Sequence, residues 1–402
     1  MAGKVLVLGA GLQGRAAILD LERRGGAEEI VAADIDPGAL AGWLSRIGAS
    51  RTRAERLDAR DPEALSALLS RADVALDFLP VDFVPAVARA GLEAGCHVVN
   101  TNYAHPLRDL ADEAASRGVA LLPECGFDPG IDLLASARAV ARFDTVEALL
   151  SYAGGIPAPE CRDANALRYK VSWSFEGVLR SYVREGCVVE GGKVRRVPSP
   201  EIFEEPLARG VRFEGLGELD AFVNEDAAAT LEPLGISETV TEAGRYALRW
   251  PGHCRLWRTL VSLGLLDGEP VEGLGVSPRE LVRRKLEGQL RYSDDERDMV
   301  LLRVDAVGES GGERSAVRVE MRDFRDLETG LFAMNRTVAW PAAIVARMIL
   351  DGTIEGRGLL FPSRDVPPGP FFEKLAERGI EIEEREITPE EALERRRLPP
   401  SS

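Results

Sequence analysis

Lys4-Val5-Leu6-Val7-Leu8-Gly9-Ala10-Gly11-Leu12-Gln13-Gly14-Arg15-Ala16-Ala17-Ile18-Leu19-Asp20-Leu21 is the stretch whose reading decides the fold. A β-branched and leucine run, Lys4–Leu8, ends in a G-x-G-x-x-G turn at Gly9, Gly11 and Gly14. Apolar residues Leu12, Ala16, Ile18, Leu19 and Leu21 then follow in a helical pattern, which Gly25-Gly26 closes as a C-cap. A strand, a glycine turn and a helix in that order predict a dinucleotide-binding unit. Gly9 permits the tight turn, Gly11 lets backbone approach a pyrophosphate, and Gly14 lets helix and strand pack closely. The first helical turn, at Leu12 and Gln13, offers free amides to the phosphates. A glycine-rich turn in an α/β protein without a cofactor is the competing reading.

Outward from this turn, Glu29–Ala33 is the next apolar strand, with Asp34 at its end, twenty residues past Gly14. A carboxylate there accepts from the adenosine ribose hydroxyls and opposes a 2′-phosphate, at a cost on the order of 1–4 kcal/mol. Ile35-Asp36-Pro37 follows with no adjacent Arg or Lys, so NAD is expected over NADP, with Asp36 ranked behind Asp34. Further strand candidates are Arg56–Ala59, Val74–Leu79, His97–Thr101 and Val119–Pro123, and helices open near Pro37, Pro62, Pro85 and Leu107. This alternation predicts right-handed crossovers and a doubly wound parallel Rossmann sheet over residues 1–126. Leu79, ending the fourth strand, joins the cofactor-facing candidates. Asp58, ending the third, either reaches the adenine or is an ordinary loop or cap acid.

Beyond Cys125 the pattern changes. Asp128–Arg142 reads as one helix and Val146–Tyr152 as a strand ending at Gly154-Gly155. Longer strands with Gly-rich turns follow, among them Cys187–Arg196, Gly244–Trp250 and a hairpin of Val300–Val307 with Ser315–Met321. Residues 127–332 are therefore expected to form an α+β domain with a mainly antiparallel sheet. Ala333–Leu350 reads as a helix, with Pro341 either kinking it or marking its first turn. Residues 333–365 are expected to return to the first domain. Residues 366–402 are expected to form a tail with the strand Ile380–Ile387 and a frayed end at Arg395–Arg397 and Pro399-Pro400.

A chain of 402 residues exceeds one ordinary core, in keeping with two domains. Its net charge of −16 repels phosphate backbones and anionic lipid, which argues against nucleic acid or membrane partners. No apolar run approaches membrane-spanning length, and Met1-Ala2-Gly3-Lys4 leads straight into a strand pattern, so no leader or anchor is expected. The five cysteines, Cys96, Cys125, Cys161, Cys187 and Cys254, are scattered and odd in number, which suits a reducing cytoplasm. The three histidines show no metal-ligand spacing, and no metal site is expected.

Three longer runs carry a family likeness. Cys125-Gly126-Phe127-Asp128-Pro129-Gly130-Ile131-Asp132, Ser151-Tyr152-Ala153-Gly154-Gly155-Ile156-Pro157-Ala158-Pro159-Glu160, and Tyr169-Lys170-Val171-Ser172-Trp173-Ser174 with Gly177-Val178-Leu179 resemble the saccharopine dehydrogenase family. The pattern is closest to its glutamate-forming branch, and the similarity extends to about Pro362. Ala333-Met334-Asn335-Arg336-Thr337 leading into Trp340-Pro341-Ala342-Ala343-Ile344 resembles that family's closing helix. Two departures stand out: Ala153 replaces a usual Cys, and Val223-Asn224-Glu225-Asp226-Ala227 replaces a Pro-Asn-Arg-Asp-Ser run. The Arg of that run is understood to hold a substrate carboxylate, and Glu225 inverts its charge. Arg249-Trp250-Pro251-Gly252-His253 and Ala33-Asp34-Ile35-Asp36 look more like the NAD-using lysine 6-dehydrogenase branch.

The resemblance implies hydride transfer at a carbon beside an amine nitrogen of a basic amino acid or opine, and a homodimer. An acid/base group must then stand near the nitrogen. Asp128 is the leading candidate, against its reading as an N-cap with Pro129 at the first helical position. Tyr103, after the fifth strand, matches a family Tyr that donates to the substrate, or is a rim aromatic. Lys170 either pairs with a substrate carboxylate or forms a plain salt bridge. Trp173 either walls the pocket or is a core aromatic. Arg249 is a candidate for the missing carboxylate clamp, since guanidinium offers a bidentate fork. Two other readings of the chain compete: a lysine 6-dehydrogenase-like oxidative deaminase, and a non-catalytic NAD-binding sensor.

Overall fold

The computed structural model describes residues 3–400, which divide into two compact units: residues 3–134 with 335–379, and residues 135–334 with 380–400. In chain order the first unit holds β1 (Gly3–Leu8), α1 (Leu12–Arg24), β2 (Ala27–Asp34), α2 (Pro37–Ile47), β3 (Thr52–Arg56), α3 (Pro62–Leu69) and β4 (Val74–Asp77). It continues with α4 (Val84–Ala94), β5 (His97–Asn100), α5 (Ala111–Ser116) and β6 (Ala120–Leu122), and α6 (Ile131–Val140) carries the chain onward. The second unit holds β7 (Thr145–Pro157), α7 (Phe175–Ser181), β8 (Gly186–Glu190), β9 (Lys193–Val197), β10 (Arg209–Phe213), β11 (Gly217–Val223), α8 (Ala227–Leu231) and β12 (Glu242–Arg249). It goes on through α9 (His253–Ser262), α10 (Pro278–Leu286), β13 (Asp298–Ser310) and β14 (Glu313–Phe324). Helix α11 (Ala333–Leu350) leads back to the first unit, which closes with β15 (Gly358–Leu359), α12 (Pro362–Asp365) and α13 (Pro368–Ala376). Strand β16 (Ile382–Ile387) and α14 (Pro389–Ala392) end in the second.

Among the described residues the first sheet runs β15-β6-β5-β4-β1-β2-β3, and every pairing in it is parallel. Its central strands are buried on both faces, which is why Leu6, Leu8, Ala33, Ala75, Val98 and Leu121 read as continuous apolar runs. Helix starts are set by capping acids followed by proline. Asp36 accepts from the Ala39 amide ahead of α2, and Asp61 accepts from those of Glu63 and Ala64 ahead of α3. The second sheet runs β10-β11-β12-β7-β13-β14-β16, with β8 and β9 as a side hairpin. The pair β7–β12 is parallel and the remaining pairings are antiparallel. A cluster of Tyr169, Tyr182, Phe203, Phe222, Trp250 and Trp257 forms its core. The architecture is the expected Rossmann sheet followed by an α+β unit.

Several element boundaries differ from the sequence reading. Strand β3 ends at Arg56 instead of beginning there: it is a sheet edge, and charged Arg53 and Glu55 mask its alternation. Cys187–Arg196 is two strands, because Gly191 and Gly192, at φ of 57° and 73°, turn the chain back. Helix α6 starts at Ile131, since residues 126–130 close a tight loop through Gly126 N–H to the Pro129 carbonyl at 2.9 Å. Asp128 is therefore not the cap of that helix. Pro341 lies inside α11. The tail expected to fray is held as far as Leu398. Gly210 N–H donates to the Arg396 carbonyl, Arg395 pairs with Glu242 at 2.7 Å, and Leu398 N–H donates to Glu205 at 2.7 Å. Ser401 and Ser402 lie outside the described residues.

In the first unit the returning segment is fastened to α1. The Trp340 indole donates to the Ala16 carbonyl at 3.3 Å, and Arg378 grips Asp20 through Nε and Nη2 at 2.8 and 2.9 Å. The side chains of this pair are 1% and 2% exposed. A buried pair contributes little net stability over an apolar replacement, yet removing one partner strands the other charge. Arg378→Met is expected to destabilise the fold by ~3–5 kcal/mol in chemical denaturation, and Asp20→Leu added to it to recover most of the loss. A loss no smaller in the double variant would refute this account.

Asp77 closes β4 fully buried, with Oδ1 accepting from the Leu79 amide at 3.0 Å and Oδ2 without a hydrogen bond. Burial pushes its carboxyl up to about 7. The unfolded chain binds this proton only below about 4, so the group's contribution is full below that pH and is lost as pH rises to about 7. Asp77→Asn lacks that titration. Its stability relative to the parent is expected to climb between about pH 4 and about pH 7, then level off. A pH-independent difference in urea midpoints would show that Asp77 stays ionised.

Candidate active site

The turn from β1 to α1 has the shape of a pyrophosphate cradle. Gly9 sits at φ 84°, a conformation only glycine adopts without strain. A Cβ on Gly14 would lie 1.9 Å from the Gly9 carbonyl oxygen, whereas one on Gly11 would meet nothing within 4 Å. The loop is closed on one side and open on the other. Leu12 is 53% exposed, and the Gln13 Oε1 is buried with no hydrogen-bond partner among the described residues. An open glycine flank, free first-turn amides and an orphaned amide oxygen fit a dinucleotide. Leu79 lies across the turn, its Cδ2 3.4 Å from where a Gly9 Cβ would stand.

Asp34 does not face outward with both oxygens. Oδ2 accepts from the Ala10 amide at 2.8 Å and Oδ1 from the Asp36 amide at 3.1 Å. The carboxylate ties β2 to the glycine turn, and Asp36 is spent on its helix cap. Asp58 is engaged as well. It takes the Arg60 Nε and Nη2 at 2.9 and 2.7 Å, and these bonds hold its carboxyl down at about 2. It behaves as a loop acid. Arg56 stands opposite Asp34 in the β2–β3 register, is exposed, and makes no hydrogen bond of its own among the described residues.

Tyr103 and Asp128 follow β5 and β6 at the carboxyl edge of the same sheet, where open α/β sheets bind ligands. Both are half-buried. The loops that carry them are latched together by Glu124, a residue the sequence reading passed over. It adopts φ 62°, its amide donates to the Asn102 carbonyl at 2.9 Å, and its Oε1 accepts from the Ala104 amide at 3.0 Å. Cys125 N–H adds a bond to the Asn100 carbonyl at 2.9 Å. A left-handed Glu costs of order 1 kcal/mol or more, a strain that clusters at functional sites. A lone Glu before a Cys carries no pattern that announces this role.

In the second unit the candidates are dispersed. Lys170 is buried and its ammonium meets both Glu296 oxygens at 2.7 and 2.6 Å, which is the plain salt-bridge reading. Trp173 is 42% exposed and rests against Gly177. Arg249 is buried, its guanidinium 4.9 Å from the Tyr169 ring centre and 5.7 Å from that of Phe222. Beside it the Tyr182 hydroxyl meets His253 Nε2 at 2.8 Å, and burial drives that imidazole well below its ordinary range. Arg249 is thus a cation of the aromatic core instead of an open clamp. Glu225, at φ 70°, is paired with Arg184, which also donates to the Asn224 Oδ1 at 3.3 Å. A guanidinium therefore stands beside Glu225 after all, supplied by the stretch between α7 and β8. Among the described residues no cluster of His, Cys, Asp or Glu is placed to hold a metal, and no helix is long and apolar enough to cross a membrane.

Two family models match, the saccharopine dehydrogenase NADP binding domain over residues 5–122 and the saccharopine dehydrogenase C-terminal domain over residues 126–380. The NADP(+), L-glutamate-forming saccharopine dehydrogenase of Saccharomyces cerevisiae is 26% identical, over 96% of this chain and all of that one. The mitochondrial alpha-aminoadipic semialdehyde synthase of Bos taurus is 27% identical, and this chain spans 41% of its length. The solved apo saccharopine dehydrogenase (L-Glu forming) from Saccharomyces cerevisiae superposes with a TM-score of 0.86 at 24% identity, covering 96% of this chain and 100% of that one, and so shares the fold. The expectation of NAD is overturned: the matching domain is an NADP-binding one, and the curated yeast relative is an NADP(+) enzyme. The argument from Asp34 assumed a carboxylate free to repel a 2′-phosphate, and both its oxygens are instead engaged by backbone amides. The two matches between them cover nearly the whole chain, which belongs to the saccharopine dehydrogenase family.

Proposed function

We propose that this chain is an NADP-dependent oxidoreductase acting on the CH–NH bond of saccharopine or a closely related opine. The observation that carries the reading is the placement of Tyr103 and Asp128, latched by Glu124, at the sheet edge that also bears the open glycine cradle. The cofactor supplies the hydride acceptor. Asp128 takes the proton that must leave the substrate nitrogen before hydride departs. Tyr103 donates to the substrate and holds its orientation. Arg56, exposed and opposite Asp34, meets the 2′-phosphate.

Purified protein offered saccharopine with either cofactor should reduce NADP with the higher kcat/KM, followed by absorbance of the reduced cofactor. Arg56→Ala should raise KM for NADP by ~10–100-fold and leave that for NAD nearly unchanged, since a charge-assisted contact is worth about 1.5–3 kcal/mol. Faster turnover with NAD, or no turnover of saccharopine, would sink the proposal.

Asp128→Asn should lower kcat by ~10²–10⁴ while NADP affinity stays at the parent value. Turnover near that of the parent would remove Asp128 from the chemistry and leave the cofactor assignment standing.

A further inference from the structure

One face of the second sheet carries charge where a core is usual. The register sets Tyr152 of β7 beside Arg303 of β13, Arg303 beside Glu320 of β14, Asp305 beside Arg318, and Arg318 beside Arg385 of β16. Strand β10 and the stretch from Glu391 to Arg396 cover this face incompletely and leave a cavity of about 340 Å³ lined by residues of the second unit alone.

Its lining holds five arginines and four acids, and the buried part of it has donors to spare. Asp305 is fully used by Arg318, which reaches it through Nε and Nη2 at 2.6 and 2.8 Å. Glu391 accepts from the Arg318 Nη1 at 3.2 Å, and Glu394 from Arg396 at 2.8 Å. The unused groups are mainly donors. The Tyr152 hydroxyl, on a residue 3% exposed, makes no hydrogen bond among the described residues. Arg303, 5% exposed, spends Nε and Nη2 on Glu320 and the Arg212 carbonyl, which leaves Nη1 without an acceptor. Arg385 has only the looser ion pairs with Glu391 and Glu320 at 3.6 and 3.7 Å, beyond hydrogen-bond distance, and the exposed Arg212 guanidinium has no acceptor among the described residues. Against these stand three exposed carboxylates at the rim: Glu214, and Glu391 and Glu394, each with one oxygen to spare. Buried donors are satisfied as a rule, and a guanidinium fork matches an oxyanion bidentately.

We propose that this cavity binds a small dianion, a phosphate-type or dicarboxylate ligand, whose oxygens accept from Tyr152, Arg303, Arg385 and Arg212. The site goes beyond the dehydrogenase reading and does not depend on it, because neither the glycine cradle nor Asp128 contributes to it.

The test uses the full chain saturated with NADP, so that the glycine turn is occupied before any anion is added. Inorganic pyrophosphate and glutarate are titrated separately by calorimetry at constant ionic strength, with chloride as control. Saturable binding of either supports the site, and the tighter of the two names its class. Arg212→Ala and Arg385→Ala, both at exposed positions, should each weaken that ligand by ~10-fold while NADP binds as before. Tyr152→Phe should weaken it less. Absence of saturable binding for both anions, or binding that survives in the Arg212→Ala/Arg385→Ala variant, overturns the proposal.

Discussion

The contact on which the first unit depends is between two pieces of backbone. A side chain at Gly14 would put carbon 1.9 Å from the Gly9 carbonyl, so α1 can lie against β1 only because no side chain is there. That closeness sets the direction of α1, and with it the first-turn amides at Leu12 and Gln13. It also places Asp20, further along the helix, where Arg378 of the returning segment closes on it. One missing methyl thus governs both the cofactor cradle and the anchorage of a segment more than three hundred residues away in sequence. The coupling is mechanical: a helix is stiff, and its first turn and its third move together.

The second unit solves a different problem. Its sheet carries Arg303, Asp305, Arg318 and Arg245 at buried positions, and its core holds Arg249 and Lys170. Buried ions are costly unless paired, and paired ions gain little over apolar residues. What such pairs do supply is register. A one-residue slip of β14 against β13 would carry Arg318 off Asp305 and onto the opposite face, which is lined by Val304, Ala306, Val317 and Val319. The ion pair therefore penalises the wrong pairing more than it rewards the right one.

Legibility followed periodicity. The Rossmann alternation, the helix starts near Pro37 and Pro62, and the hairpin of β13 and β14 announce themselves locally, because glycine and proline act within a few residues. Strand β3 was displaced since an edge strand wears charge on both faces, and Cys187–Arg196 was fused since Gly191-Gly192 also suits a bulge. At the site, the glycine turn was legible residue by residue. The partners of Lys170, Arg249 and Glu225 were not, because Glu296, Tyr169 and Arg184 are brought to them by tertiary packing that leaves no local spacing.

Asp34 shows how a residue can be placed correctly and its chemistry still be misjudged. It stands at the end of β2, as the spacing required, but a carboxylate there has two possible audiences. If its oxygens face solvent, they bind ribose hydroxyls and repel a 2′-phosphate. If they turn inward, they accept amides, here those of Ala10 and Asp36, whose dipoles partly offset the negative charge. The second arrangement ties the end of β2 to the glycine loop. Arg56 stands opposite Asp34 on the neighbouring strand, with no position in the fingerprint to reveal it. The charge at this edge is thus shared between β2 and β3, and a rule that reads β2 alone leaves Arg56 out of account.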